Sequence, residues 1–345
     1  MKKILSLILV CFILLASLAV PSFATKKPLS VSAGISALRG QFSSAVAPKA
    51  GGRALDYAYY SPASANDGKK YPVVIFLHGI GHGGSVGSQL ADSDMAYWTS
   101  AELQSRFTAG GAYIILPRCP ENNIEFWGES FIEPLHALID DFIAKNRANV
   151  DTTRIALTGS SQGGAMVWMM LDAYPEYFSA VFPIASTETP LPSVLKKASG
   201  TAVWLIASKL DPVVSYPLAT LPLWNNVCQY NDHPENCRLS SLGTVYLPNG
   251  SRSSDNHHLA GVITYDLHTL NNGLYPEMST EDGYGRTVDL TAPNGLIRWI
   301  STVHSDFNGN AQSGGSAVNP VKRVIEIIRN FFLEIVHLFQ KLLGL

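Results

Sequence analysis

The stretch Leu157-Thr158-Gly159-Ser160-Ser161-Gln162-Gly163-Gly164 decides how this chain reads. It has the form Gly-x-Ser-x-Gly, with Ser161 at its centre. On one side lies an apolar run that reads as a strand, Arg154 to Leu157; on the other, one that reads as a helix, Ala165 to Leu171. A serine that attacks a carbonyl must stand proud of the backbone, and a tight strand-to-helix turn presents it that way. Gly159 and Gly163 let neighbouring backbone pass close by, and the N–H groups at the helix start face a developing oxyanion. The competing reading is a Gly/Ser-rich loop that merely turns. Residues further along the chain decide against it.

A serine hydroxyl is a poor nucleophile at neutral pH. It needs a base, usually a histidine held in one tautomer by a carboxylate. Where the serine sits on such a turn, its partners follow in the order acid, then histidine. Ile206-Ala-Ser-Lys-Leu-Asp211-Pro-Val-Val214 reads as a strand running into a loop, which delivers Asp211 to the same sheet edge as Ser161. The alternative is that Asp211 only opens the turn before Pro212. For the base, His78, His82 and His136 precede the serine, His233 lies between two cysteines, His304 follows the closing helix and His337 is in the tail. That leaves His257, His258 and His268. A strand at Thr244–Leu247 places His257 and His258 at the sheet edge, whereas a last strand at Val262–Leu267 places His268 there. The His257/His258 pair is favoured, with His257 slightly ahead. Phe76-Leu-His-Gly-Ile-Gly-His-Gly-Gly84 supplies the second oxyanion donor, so the donors are the N–H of Gln162 and that of Gly79 or Ile80. His78 is read as a brace for that loop. The glycine cluster is not a phosphate loop, because no Lys-Ser/Thr follows it. Neither a cofactor nor a metal is expected.

The 345 residues and net charge of −2 fit one large α/β domain. There is no basic excess for a nucleic acid and no acidic solvating tail. Lys2 and Lys3 precede an apolar run from Ile4 to Val20 and then Pro21-Ser-Phe-Ala24, the pattern of a secretory signal peptide over 1–24. An exported protein is expected. Cys11 follows Val10, a poor match to a lipoprotein signal. In an oxidising compartment Cys228 and Cys237, which bracket a polar loop, are expected to form a local disulfide. Metal binding with His233 fits no zinc spacing. Cys119 reads as a structural thiol.

Residues 25–50 are a Ser/Ala-rich lead-in with a weak helical pattern. Strand signals follow at Arg53–Tyr60, Tyr71–His78, Ala112–Leu116, Ile155–Leu157, Ala180–Ile184 and Val203–Ala207, with a helix marked by Phe131, Leu135, Leu138, Ile139, Phe142 and Ile143. The alternation argues for a mostly parallel central sheet with helices on both faces. From Leu221 to Asp289 the pattern turns irregular, and Asn294–Val303 reads as the closing helix. The catalytic domain thus spans 25–305, followed by a Gly/Ser/Asn/Gln-rich linker over 306–319. In the tail, 320–345, Val321, Ile325, Phe332, Phe339 and Leu343 contribute to a wide apolar face opposite Lys322, Arg329 and Lys341. That pattern suits a membrane surface or a protein partner; the alternative is that it folds back on its own domain. Trp98 and Trp127 are candidates to line a cleft, or simply to pack.

Tyr71-Pro-Val-Val-Ile-Phe-Leu-His-Gly, Leu116-Pro-Arg-Cys-Pro with Trp127 after it, and Asp151-Thr-Thr-Arg-Ile-Ala-Leu-Thr-Gly-Ser-Ser-Gln-Gly-Gly resemble the secreted α/β-hydrolase esterases. Closest in pattern are the feruloyl esterase and polyhydroxybutyrate depolymerase-like enzymes, some of them termed predicted peptidases. Ala180-Val-Phe-Pro-Ile-Ala and Leu210-Asp-Pro-Val-Val are similar too, and the likeness runs from about Leu55 to Val303. The resemblance implies the α/β-hydrolase fold and carboxylic ester hydrolysis through an acyl-enzyme, with Ser161 as nucleophile and Asp211 as acid. The substrate is then a small-molecule or polymer-linked ester. Gln162 stands where these enzymes often carry Met, and their short Gly-His-Asn-x-Trp segment is replaced by Asn256-His-His-Leu in a longer insertion. A serine peptidase on the same machinery and a non-catalytic surface-attached binding protein are the alternatives.

Overall fold

A computed structural model describes residues 31–62, 67–85, 87–120, 126–244, 257–258, 278–290 and 295–305. The signal segment, the linker and tail, Val245 to Leu247, and the stretch holding Val262–Leu267 and His268 lie outside the described residues. Strands β1 (Ser43–Val46), β2 (Asp56–Tyr60), β3 (Tyr71–Leu77), β4 (Tyr113–Pro117), β5 (Val150–Ser160), β6 (Ala180–Ile184), β7 (Ala202–Ser208), β8 (Arg238–Leu242) and β9 (Ser279–Asp282) form one sheet. Their order is β1-β2-β4-β3-β5-β6-β7-β8-β9. From β4 to β8 the pairings are parallel, and β1–β2, β2–β4 and β8–β9 are antiparallel.

The strands are near-continuous apolar runs because both faces are covered, and alternate side chains feed two cores. Val73, Ile75 and Leu77 of β3 join Ile155, Leu157, Val181, Val203 and Leu205 on one face. There they meet the helices Ile132–Lys145, Gln162–Ala173 and Leu221–Tyr230 through Leu135, Met166 and Leu223. Val74 and Phe76 point the other way, with Phe182, Trp204 and Ile206, onto Trp98, Leu103, Ile297 and Trp299. Each such Leu, Ile, Val or Phe contributes roughly 1.5–3 kcal/mol when fully buried, so the alternation fixes the register. A one-residue slip would exchange the two cores.

The structure changes three expectations. Residues 25–50 are more than a lead-in: among the described residues the weak helical pattern becomes the helix Val31–Arg39, and β1 extends the sheet beyond β2. The irregular region contains β8 and β9; β8 ends at Leu242, ahead of the strand expected at Thr244–Leu247, of which only Thr244 is among the described residues. Arg-Leu-Ser-Ser-Leu lacks an apolar signature because its serines are satisfied by partners the sequence does not reveal. Ser240 Oγ lies 2.8 Å from Thr280 Oγ1 and accepts Trp204 Nε1–H at 2.8 Å, and Ser241 Oγ lies 3.0 Å from Ser279 Oγ.

The third concerns the expected disulfide. Cys228 and Cys237 are free thiols, one on the helix Leu221–Tyr230 and the other at the foot of β8. The loop between them is held by backbone instead: Pro234 O accepts the N–H of Cys237 at 3.1 Å and of Gly283 at 2.9 Å. Burial pushes the thiol of Cys228 up to about 11 and that of Cys237 up to about 12, and it is the thiolate that reacts. Native protein starting at residue 25 should therefore react slowly with a thiol reagent at pH 7, and denatured protein should titrate three thiols, Cys119, Cys228 and Cys237. A single reactive thiol after denaturation would mean that a bridge forms.

Candidate active site

β5 ends at Ser160, and the helix Gln162–Ala173 starts one residue after Ser161. Between them Ser161 adopts φ 54° and ψ −113°, a region that non-glycine residues rarely occupy. Such strain costs about 1–3 kcal/mol and persists only where the surroundings enforce it. Here they do: Ser161 N–H donates to Ile184 O at 2.9 Å, and Ala165 N–H closes the first helical turn on Ser161 O at 3.1 Å. Close backbone approach accounts for both glycines. A Cβ on Gly163 would stand 2.0 Å from Leu77 O, and one on Gly159 would stand 2.4 Å from Gly163 O. The helix start therefore abuts the end of β3, bringing Gln162 beside the loop that holds Gly79 and Ile80.

That loop is tied down from below. His78 is fully buried. Its Nδ1–H donates to Gly79 O at 2.8 Å, and its Nε2 accepts the N–H of Cys119 at 3.1 Å, so one tautomer satisfies both ends. Trp127 Nε1–H donates to His78 O at 2.9 Å, and Trp127 O accepts from Gln162 Nε2 at 3.0 Å. Arg118 grips Asp56 at 2.7 and 2.5 Å and reaches Gly83 O at 2.8 Å. Trp127 thus packs and braces, and so does Trp98, stacked on Phe182 with centroids 6.0 Å apart. Both are buried.

Asp211 follows β7, and its side chain is 1% exposed. Its Oδ1 accepts the N–H of Val213 at 2.8 Å and of Val214 at 2.9 Å, which aims Oδ2 at His258. His258 Nδ1–H donates to Oδ2 at 2.8 Å, and Ser161 Oγ lies 2.8 Å from His258 Nε2. Because a carboxylate only accepts, the proton belongs on Nδ1, which leaves Nε2 as the acceptor of the serine hydroxyl hydrogen. The structure thus brings together Ser161, Asp211 and His258. These hydrogen bonds run through His258 rather than its favoured neighbour His257, which is buried beside it. Two adjacent histidines in a loop have no periodicity to set them apart, so only the three-dimensional fold separates them. Of the excluded histidines, His136 stacks on Tyr174 at 3.8 Å, and His304 lies by Thr153 at the opposite end of β5. The brace formed by His78, Cys119, Trp127 and Arg118 is only partly legible in the sequence: His78 reads as a brace, but no local signal singles out Arg118.

A family model for phospholipase/carboxylesterase matches residues 62–233. A comparison with curated proteins finds no match. Among solved structures, a thermostable esterase is 23% identical with a TM-score of 0.55, over 69% of this chain and 63% of that one. The chain therefore spans less than two thirds of that esterase. Thermogutta terrifontis esterase 2, phosphorylated by paraoxon, is 13% identical over 68% of this chain and 95% of its own, with a TM-score of 0.43. An acylaminoacyl peptidase in complex with a chloromethyl ketone is 17% identical over 63% and 39%, with a TM-score of 0.44. The strand order and the likeness to that esterase show the α/β-hydrolase fold, and over residues 62–233 the chain is similar to the phospholipase/carboxylesterase family.

Proposed function

We propose that this protein hydrolyses carboxylic esters through an acyl-enzyme on Ser161, with His258 as general base and Asp211 as its orienting acid. The observation that carries the reading is the continuous hydrogen-bonded line from Ser161 Oγ through both ring nitrogens of His258 to a buried carboxylate. As Ser161 Oγ adds to the ester carbonyl, its proton passes to His258 Nε2, and Asp211 steadies the imidazolium through Nδ1–H. The carbonyl oxygen becomes an oxyanion and is received by the N–H of Gln162 and that of Gly79 or Ile80. One such donor is typically worth about 10²–10³ in kcat. The intermediate collapses as His258 returns the proton to the leaving alkoxide oxygen, releasing the alcohol. Water then repeats the sequence on the acyl-enzyme and releases the acid. No step calls for a metal or a cofactor.

A fluorophosphonate probe followed by peptide mapping tests the reading, together with turnover of p-nitrophenyl acetate and methyl ferulate. Labelling of Ser161 with ester turnover supports it. Labelling without ester turnover points to peptides as substrates, and no labelling of folded protein points to a binding role.

The sequence also supports export through residues 1–24 and attachment to an envelope or protein surface through the amphipathic tail, 320–345. Deleting 320–345 should abolish sedimentation with liposomes or cell envelopes and leave soluble ester turnover intact. Equal partitioning of full-length and truncated protein would sink the attachment role.

A further inference from the structure

Both proposed oxyanion donors are backbone N–H groups on separate elements: Gln162 heads the helix Gln162–Ala173, and Gly79 and Ile80 lie in the loop after β3. Such a pair works only if the two elements keep one spacing, because each donor must lie about 2.7–3.1 Å from where the oxyanion forms. The loop supplies little rigidity of its own: Gly81 holds φ 92°, and Ile80 is 57% open to solvent. A chain of hydrogen bonds joins the two elements instead. Gln162 Nε2–H donates to Trp127 O at 3.0 Å, Trp127 Nε1–H to His78 O at 2.9 Å, and His78 Nδ1–H to Gly79 O at 2.8 Å. β3 alone stands between β5 and β4 in the sheet. The first of these bonds, from the end of β5 to the segment after β4, therefore spans the strand that carries the other donor. Towards β6, Gln162 Oε1 lies 3.5 Å from Thr187 Oγ1. Trp127 is a firm anchor, buried and packed edge-on against Phe131 with centroids 5.4 Å apart.

We propose that the Gln162 side chain is a positioning group, separate from the backbone donor of the same residue: acting through Trp127 and His78, its amide fixes the spacing of the two oxyanion donors. The proposal deepens the reading above and rests on Ser161 being the reacting residue. The links run in series, so breaking any one of them releases the same constraint. Release leaves both backbone N–H groups in place, so the loss is smaller than the roughly 10²–10³ for a deleted donor. It falls on the transition state, where the oxyanion exists, and spares the bound ester.

Gln162→Met tests it, since methionine has a similar length and keeps the backbone N–H but cannot donate to Trp127 O. With p-nitrophenyl acetate, kcat should fall about tenfold while KM stays within about twofold of the wild type. Trp127→Phe, which removes Nε1–H, should give a similar fall, and the double variant should be no more than about twofold slower than the slower single variant. Trp127→Tyr stands in if Trp127→Phe does not fold. Solvent exchange of the Trp127 indole N–H, followed by NMR, reads the link without turnover; the resonance is assigned by its loss in the Trp127 variant. Gln162→Met should speed that exchange about fivefold, the worth of one ordinary hydrogen bond. An unchanged kcat, an unchanged exchange rate, or losses that multiply in the double variant would each overturn the positioning role and leave the hydrolase reading intact. A folded wild type that neither turns over ester nor takes a fluorophosphonate would overturn the hydrolase reading instead, and the exchange rate alone then decides whether the link holds.

Discussion

Asp211→Asn should lower kcat/KM for p-nitrophenyl acetate by about 10⁴, and Ser161→Ala by about 10⁶, the ranges seen when triad groups are removed from serine hydrolases. The asparagine effect follows from the hydrogen bonds. Val213 and Val214 both donate to Oδ1, so the carbonyl oxygen of the introduced asparagine must take that side. Its NH₂ then faces His258 Nδ1, which must accept. The ring proton moves to Nε2 and points at Ser161 Oγ, and a protonated Nε2 is no base. About 10⁴ corresponds to roughly 5 kcal/mol of transition-state stabilisation, yet the fold loses none of the donors that hold the loop. The double variant Ser161→Ala/Asp211→Asn should be no slower than Ser161→Ala alone, because the groups act as one unit. Losses that add in the logarithm would mean that Asp211 works independently of the serine. Steady-state kinetics with unfolding midpoints as a control checks both points.

The largest structural effect is expected at Gly163. Its added Cβ would meet Leu77 O at 2.0 Å, Leu77 C at 2.6 Å and His78 O at 2.8 Å, all backbone atoms in the fully buried end of β3. No rotamer relieves a clash with backbone. Either the helix Gln162–Ala173 moves off the sheet or β3 shifts with the loop that carries Gly79 and Ile80. Gly163→Ala should therefore cost about 4 kcal/mol or more, at the severe end of single substitutions. Activity should fall even in whatever fraction folds. Gly200→Ala is the control: nothing lies within 4 Å of the position, so its effect should stay within about 0.5 kcal/mol. Denaturant midpoints decide, and a Gly163→Ala protein as stable as the Gly200→Ala control would refute the close-approach account.

Much of this architecture is written locally. The turn at Ser161, the carboxylate of Asp211 after β7 and the parallel core strands each carry an apolar run followed by loop-forming residues, and β6 falls on Ala180–Ile184 as its sequence indicates. Edges are harder to read. β1 is largely exposed, with the burial of a half-solvated edge strand rather than an apolar run, so composition marks it as a lead-in. β5 begins at Val150 rather than Arg154, because Asp151 and Arg154 pair within the strand's half-buried foot and lack apolar character. β8 conceals its burial behind serines paired across the sheet. The cysteine spacing suggests a bridge, whereas the fold satisfies the same loop with backbone hydrogen bonds.

The histidine is where sequence alone falls short, and it is also where the central claim is most exposed. The decisive measurement is kcat/KM for p-nitrophenyl acetate in His257→Ala and His258→Ala, each checked for folding. The hydrogen-bonded line through His258 predicts a fall of about 10⁵–10⁶ for His258→Ala, with His257→Ala within about tenfold of the wild type. Loss of activity in His257→Ala with His258→Ala still active would contradict it.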